Sequence, residues 1–156
     1  MKVLLDTNVV LDVLQKRSPW FDDGKEIFLA IATKQIDGFI TAKEVTDIYF
    51  FSRKQFKGEE NIEQKIRKII TGILALFFVV DTLSEDCQNA LGIENNDYED
   101  AVMITCAKRA NIDYIVTRNT AHFNQSAVPV CTPGDFIKLL KREKKEDGTS
   151  YRLACR

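Results

Sequence analysis

The chain has 156 residues, of which 45% are hydrophobic and 29% are charged, and its formal net charge at pH 7 is -1. This composition predicts one folded domain, excludes a disordered chain, and excludes the globally basic surface with which proteins bind nucleic acid duplexes non-specifically. The four cysteines show no C-x-x-C spacing and no apolar run is long enough to span a membrane, so we expect a soluble, cytoplasmic protein with reduced thiols, no zinc site and no membrane contact.

The first predicted element is a strand at Val3–Leu5, whose continuous apolar side chains indicate that it is buried on both faces. Asp6 follows at the carboxyl end of this strand, where open α/β sheets place their ligands. The next elements are predicted as helix 8–15, helix 18–33 with Ser18 as its N-cap and Pro19 at its first position, strand 38–41 and helix 42–56.

The second half of the chain continues this alternation of helices and strands. It is predicted as helix 61–74, strand 77–80, a helix from Thr82 or Ser84 to Leu91, loop 92–96, helix 97–110, strand 114–117, strand 128–131 and helix 133–140. Strands that alternate with helices predict the α/β class, with a central, mostly parallel sheet of four to five strands. We expect residues 1–140 to form a single domain and residues 141–156 to form a charged, mobile C-terminal tail.

Four sets of polar side chains are candidates for a shared site, namely Asp6, Glu44 with Asp47, Asp97 with Asp100, and Asn119. Asp100 lies in line with the apolar stripe of its helix, which continues at Met103, Ile104 and Ala107. Capping of the helix explains Asp97 as well as a functional role does. Capping explains Asp100 less well. An acid whose only role is a favourable interaction with the helix dipole can lie on any face of the first turn and has no need to lie on the buried face of its helix.

The other candidates are less clearly defined by the pattern. Glu44 and Asp47 lie one turn apart on the same helix, and both are also compatible with an exposed acidic face. Solvation is the simpler expectation for Asp12 and for a basic series that could otherwise follow an RNA backbone, namely Lys43, Arg53, Lys54 and Lys57. His122 is expected at the surface, without a role as a general base.

Carboxylates that converge at one point require a counter-charge. At an effective dielectric of about 20, two charges roughly 5 Å apart repel each other by about 3 kcal/mol. Such a cluster must therefore bind a cation or take up protons. Hard oxygen ligands select Mg²⁺ or Mn²⁺ over zinc, and Mg²⁺ usually keeps several waters and completes its shell with phosphate. This chemistry suits hydrolysis of a phosphodiester by a metal-activated water.

The order and spacing of these residues resemble the PIN-domain family, which includes the toxin ribonucleases of toxin–antitoxin pairs. Asp6-Thr7-Asn8 looks like the opening motif of the family. Residues 41–47 resemble its second block, where the acid follows a Ser or Thr by six residues, a spacing that favours Asp47 over Glu44. Residues 97–102 and 114–119 resemble the third and fourth blocks, with Asp100 in the metal-site position.

The resemblance spans residues 2 to about 123 and implies a PIN-like three-layer α/β/α sandwich with a Mg²⁺ or Mn²⁺ site that acts on RNA. It implies that the catalytic residues are Asp6, Asp47 and Asp100, and that the metal ligands are Asp6, Asp47, Asp97 and Asp100. The residues that orient the substrate or the ligands would be Asn8, Thr117, Arg118 and Asn119. The resemblance also implies a homodimer and, for toxins, a small antitoxin whose tail blocks the acidic cleft.

Two departures from the family pattern bear on this site. Asn119 stands where the fourth block often carries Asp, so a second metal ion should bind more weakly unless Asp97 compensates. Asp47 is shorter than the usual Glu of the second block, which is expected to shift the metal inward.

The preferred hypothesis is therefore a metal-dependent endoribonuclease that hydrolyses RNA phosphodiester bonds, as the toxin of a toxin–antitoxin pair. The alternative is a catalytically weak PIN-like module that binds RNA or protein. A third hypothesis, an aspartyl-phosphate phosphatase or receiver domain that uses Asp6, is disfavoured because Asn8 stands where a second acid would be expected.

Overall fold

The computed structural model of the chain describes residues 1–94 and 97–146. The strands within these ranges are β1 (Lys2–Leu5), β2 (Asp37–Thr41), β3 (Phe78–Val80), β4 (Tyr114–Val116) and β5 (Val130–Cys131). They form one sheet in the order β3-β2-β1-β4-β5, and every neighbouring pair is parallel. The predicted parallel sheet of four to five strands is confirmed.

The strands are connected mainly by helices. Within the described ranges these are α1 (Thr7–Leu14), α2 (Phe21–Ala32), α3 (Ala42–Gln55), α4 (Ile62–Leu76), α5 (Ser84–Ala90), α6 (Tyr98–Arg109) and α7 (Pro133–Glu146), together with a short 3-10 helix at Thr120–Phe123. None of these helices combines the length and the apolar character needed to cross a membrane.

Helices cover both faces of the sheet, because successive side chains of a strand point to opposite faces. Val3 and Leu5 pack into one core with α1, α2, α3, α4 and α7, whereas Leu4 packs into a second core with α6. These three side chains of β1 are fully buried, whereas Lys2 at its start is exposed. The α/β class and the three-layer α/β/α arrangement are therefore confirmed, and the central strand that precedes Asp6 is held rigidly on both sides.

Helix α2 differs from the sequence prediction at its start. α2 begins at Phe21 and not at Ser18, and its N-cap is Trp20, which makes no side-chain capping bond. Pro19 lies in the turn before the helix, where the amide of Phe21 donates to the carbonyl of Arg17. A Ser-Pro pair suits a turn as well as a helix start, so the sequence pattern could not separate the two.

The last helix continues beyond its predicted end at residue 140. α7 extends to Glu146, because the charged residues that follow the last core side chain, Leu140, are Lys, Arg and Glu, which all favour helix. The predicted loop 92–96 is described only as far as Glu94. Residues 95–96 and the part of the predicted tail from 147 to 156 lie outside the described residues.

The expectation that Asp12 is solvated is wrong. Asp12 lies on α1 with 1% of its surface exposed. The Nε atom of Arg118 lies 3.3 Å from its Oδ2 atom, and Arg17 NH1 lies 3.7 Å from its Oδ1 atom. Burial raises the pKa of Asp12, and the charges of Arg118 and Arg17 oppose that rise. The buried ion pair ties α1 to the segment that follows β4.

The substitution Arg118→Met should therefore destabilise the fold. It leaves the Asp12 carboxylate buried without its nearer counter-charge, and we expect the free energy of unfolding to fall by about 2–3 kcal/mol. Urea denaturation measures this change. The matched control is Arg67→Met, which removes an exposed arginine from α4 and should cost less than about 1 kcal/mol. Equal losses in the two variants would contradict the structural role of the Asp12 pair.

Candidate active site

The carboxyl ends of three adjacent strands meet at one edge of the sheet. Asp6 follows β1, Thr41 ends β2 and Thr117 follows β4. Beside them an open cleft with about 200 Å³ of water-accessible space lies between the amino-terminal ends of α3 and α6. Among the described residues, the acids that line this cleft are Asp6, Glu44, Asp47, Asp97, Glu99 and Asp100.

The structure brings most of the predicted site residues together. All four predicted metal ligands line the cleft, and so do Asn8 and Asn119. Thr117 is buried and contacts Asp6. Arg118 points elsewhere: besides its contact with Asp12, its guanidinium group lies 4.2 Å from the ring centre of Trp20. The prediction that Arg118 orients the substrate therefore has no support from its contacts.

Hydrogen bonds hold Asp6 on both sides. Its Oδ2 atom accepts a bond from the Thr117 hydroxyl at 2.7 Å, and its Oδ1 atom accepts one from the Asn8 amide at 3.1 Å. The Thr117 oxygen in turn accepts a bond from the amide of Asn119 at 3.0 Å. Because Asp6 is only 8% exposed, these bonds fix the direction in which its carboxylate faces the cleft.

The second group of acids is held by α6 and the 3-10 helix. Asp97 caps α6 by accepting bonds from the amides of Glu99 and Asp100, so it both caps the helix and lines the cleft. Its carboxylate, that of Asp100 and a ring nitrogen of His122 lie within 4.8 Å of one another. Burial raises the pKa of Asp100, the hydrogen bond from His122 opposes that rise, and the negative charges of Asp97 and Asp6 add to it.

The expectation that His122 lies at the surface is met only in part, because this side chain is half-buried against Asp100. Its Nδ1 atom lies 2.8 Å from Oδ2 of Asp100, and its side chain is about one-third exposed, at 36%. His122 comes three residues after Asn119, which is one turn of the 3-10 helix, and both line the cleft. That spacing was the signal available in the sequence, but no pattern indicated that residues 120–123 are helical.

Glu44 is more deeply buried than Asp47 and has a different environment. Its Oε2 atom accepts a bond from the Thr41 amide at 2.6 Å, and its own amide donates to the Thr41 hydroxyl, which completes a capping box at the start of α3. Its Oε1 atom is buried and makes no hydrogen bond within the described part of the chain. Burial and the nearby charge of Asp6 raise the pKa of Glu44 to about 8.

The donor set fits a hard divalent cation. A buried carboxylate oxygen without a hydrogen-bond donor, next to a second carboxylate, is an arrangement that a cation satisfies. The sequence favoured Asp47 over Glu44, whereas the geometry places both in the cleft and makes Glu44 an additional candidate ligand. His122 hydrogen-bonds to a candidate ligand, which is the usual position of a group that orients a metal-bound side chain.

Comparisons with known proteins found matches to the sequence and to the fold of this chain. The sequence model of the PIN domain matches residues 2–121. The fold is similar to that of FitAcB from Neisseria gonorrhoeae, with a TM-score of 0.67 at 18% identity over 85% of this chain and 98% of that one. It is also similar to a toxin–antitoxin complex from Klebsiella pneumoniae, with a TM-score of 0.59 at 20% identity over 84% and 97% of the two chains.

A third similar structure is that of DNA-bound VapBC from Salmonella typhimurium, with a TM-score of 0.59 at 14% identity over 85% of this chain and 98% of that one. At such low identities these structures show a shared fold alone. A search of the curated proteins found no match.

The raised pKa of Glu44 predicts a specific pH dependence of stability. The folded-state pKa of about 8 lies above the ordinary value of 4.5, so the folded protein holds this proton more tightly than the unfolded chain does. The free energy of unfolding should therefore fall as the pH rises from 4.5 to about 8, by at most about 5 kcal/mol. The substitution Glu44→Gln should remove this decline, which urea denaturation at a series of pH values will measure in the absence of divalent cations.

The matched control for this prediction is Glu60→Gln. Glu60 is exposed and makes no ion pair within the described ranges, so its variant should keep the pH dependence of the wild type. A Glu44→Gln variant with an unchanged pH dependence would contradict the prediction.

Proposed function

Because the chain belongs to the PIN-domain family, we propose that its cleft hydrolyses RNA phosphodiester bonds with Mg²⁺ or Mn²⁺, as the toxin of a toxin–antitoxin pair. PIN-domain toxins are generally nucleases, and PIN domains generally use a divalent metal. The observation that carries the proposal for this chain is the convergence of acids from β1, α3 and α6 at one edge of the sheet. Such a cluster is unfavourable without a cation and well suited to bind one.

We assign the cation to Asp6, Asp47, Asp97 and Asp100, with Glu44 as a further ligand. When bound, Mg²⁺ or Mn²⁺ would supply charge neutralisation and activation of a water for attack on phosphorus. The protein's own contribution is to hold the ligands in place before substrate arrives. Thr117 fixes Asp6 and His122 fixes Asp100, so little rearrangement of these two carboxylates is needed when the cation binds.

The neutral groups of the cleft have a separate role in this proposal. Asn8 and Asn119 can each offer a side-chain amide that donates to a phosphate oxygen or accepts from a water without adding negative charge. Arg118 is engaged by Asp12 and Trp20, so we assign it to positioning the segment that carries Thr117 and Asn119.

The proposal includes a protein partner. The similar structure from Klebsiella pneumoniae is described as a toxin–antitoxin complex. In the described part of the chain, six acids line the cleft, opposed by the ammonium group of Lys43. A basic segment of an antitoxin would complement this charge, and we propose that it blocks the same cleft. A homodimer and a cytoplasmic location, where RNA substrates are present, complete the proposal.

The substitutions Asp6→Asn and Asp100→Asn test the enzymatic function. Each removes a proposed ligand, and a loss of about 3 kcal/mol in stabilisation of the reacting complex corresponds to a rate reduced roughly 100-fold. The measurement is cleavage of a pool of tRNA and mRNA across a titration of Mn²⁺ and of Mg²⁺. The control is Asp22→Asn, whose exposed acid lies on α2 and does not line the cleft.

Two results would count against the nuclease proposal. Cleavage that continues unchanged in EDTA would rule out the metal-dependent reaction. RNA or protein association that survives Asp100→Asn, with no metal-dependent cleavage by the wild type, would instead support the PIN-like binding module.

His122 should act through Asp100 and not as a general base. The substitution His122→Leu removes the contact with Asp100 and should weaken Mn²⁺ binding by roughly 10- to 100-fold, as expected for a residue that orients a ligand. His122→Asn keeps a side-chain donor near the position of Nδ1 and should recover part of that affinity. Isothermal titration with Mn²⁺ measures both variants. Unchanged Mn²⁺ affinity in the Leu variant would show that the contact does not support a metal ligand.

A further inference from the structure

Lys43 joins the two acidic walls of the cleft. Its ammonium group lies 2.6 Å from Oδ2 of Asp47, on its own helix α3, and 2.7 Å from Oε2 of Glu99, on α6. All three side chains line the cleft. The Lys43 side chain is 33% exposed, so its charge is partly shielded from solvent.

The position of Lys43 in its helix does not account for this arrangement. It is the second residue of α3, where the helix dipole disfavours a positive charge. Although burial opposes the charged form, the hydrogen bonds to Asp47 and Glu99 raise the pKa of Lys43. Lys43 is therefore protonated. Its side chain is held in the cleft by Asp47, a proposed metal ligand, and by Glu99, which also lines the cleft.

Asp47 cannot serve Lys43 and a divalent cation equally well at the same time. Its Oδ2 atom is in short contact with the ammonium group, and a cation bound to the same carboxylate would lie close to that positive charge. Binding of a divalent cation and the Lys43–Asp47 contact should therefore oppose each other. If the cation displaced Lys43 from Asp47 in this way, Lys43 would still lie at the mouth of the cleft beside Glu99.

We propose that Lys43 competes with the divalent cation for Asp47 and that, once Asp47 is engaged with the cation, Lys43 binds a phosphate of the RNA backbone. This inference rests on the proposed function and specifies how the same site couples metal binding to substrate binding. We assign the exchange to Lys43 because it is the lysine that lines the cleft among the described residues. A phosphate offers its ammonium group a strong anionic partner in place of the carboxylate.

A structural tie between α3 and α6 would behave differently. A partly exposed ion pair contributes little to stability, and its loss would not strengthen the binding of a cation. A residue that only adds positive charge to the cleft would also repel the cation, but salt would screen that repulsion. The direct exchange predicts opposite changes in the affinities for the two ligands that persist at high salt.

The test is the substitution Lys43→Met in the full chain. Removal of the competing charge should lower the Mn²⁺ dissociation constant about tenfold, measured by isothermal titration. In the same variant the KM for RNA should rise. The slope of log KM against log salt should decrease by about 0.7, which is the contribution of one phosphate contact with single-stranded RNA. Where no cleavage occurs, fluorescence anisotropy of labelled RNA in Mn²⁺ gives the dissociation constant and its salt dependence in place of the KM.

Two further variants control for general effects of charge. Lys54→Met removes a lysine at the other end of α3 that makes no ion pair within the described ranges, and its Mn²⁺ affinity should equal that of the wild type. Lys43→Arg keeps the charge beside both acids, so it should keep the weaker Mn²⁺ binding of the wild type.

The outcomes separate this inference from the proposed function. Equal or weaker Mn²⁺ binding by Lys43→Met, in a protein that cleaves RNA, overturns the competition and leaves the nuclease function standing. Tighter Mn²⁺ binding with unchanged RNA affinity overturns the phosphate contact. Tighter Mn²⁺ binding and weaker RNA binding, in a protein that never cleaves RNA, support the exchange and refute the nuclease. If neither the wild type nor the variant binds Mn²⁺, both proposals fail.

Discussion

Mutual repulsion among carboxylates is the constraint on which the arrangement of this cleft depends. Six acids of the described ranges line one edge of the sheet, and water screens their charges only in part. Four of them are each paired with a different neighbour, namely Asp6 with Thr117, Glu44 with Thr41, Asp47 with Lys43 and Asp100 with His122. The Oε1 atom of Glu44 is left without a hydrogen-bond donor among the described residues, and burial raises the pKa of this carboxyl to about 8.

The apolar part of the fold makes this concentration of charge possible. β1 lies at the centre of the sheet, and its side chains Val3, Leu4 and Leu5 are completely buried between two layers of helices. A strand held in this way cannot shift to move Asp6 away from the other acids. Hydrophobic burial on both faces therefore opposes the repulsion between the acids at the edge of the sheet. Hydrogen bonds from the polar neighbours of these acids further lower the free-energy cost of that repulsion.

The parts of the site that follow from local patterns could be predicted from sequence. Asp6 follows a buried strand, and Asp100 lies on the buried stripe of its helix, so their place at the edge of the sheet was readable. The burial of Asp12 and the contact of His122 with Asp100 were not, because each depends on packing between segments far apart in the chain. The burial of Glu44 relative to Asp47 could not be predicted either. It depends on the capping box between Thr41 and Glu44, which does not change the helical periodicity of the sequence.

The bond between Asp6 and Thr117 joins residues that are 111 positions apart. During synthesis on a ribosome, Asp6 emerges before β2, β3 and β4 have been translated. Its hydrogen bond with Thr117 can form only after β4 has been made. A nascent chain, or a product truncated before β4, therefore lacks the support that orients this carboxylate. The topology itself delays completion of the cleft until β4 and Thr117 have been translated.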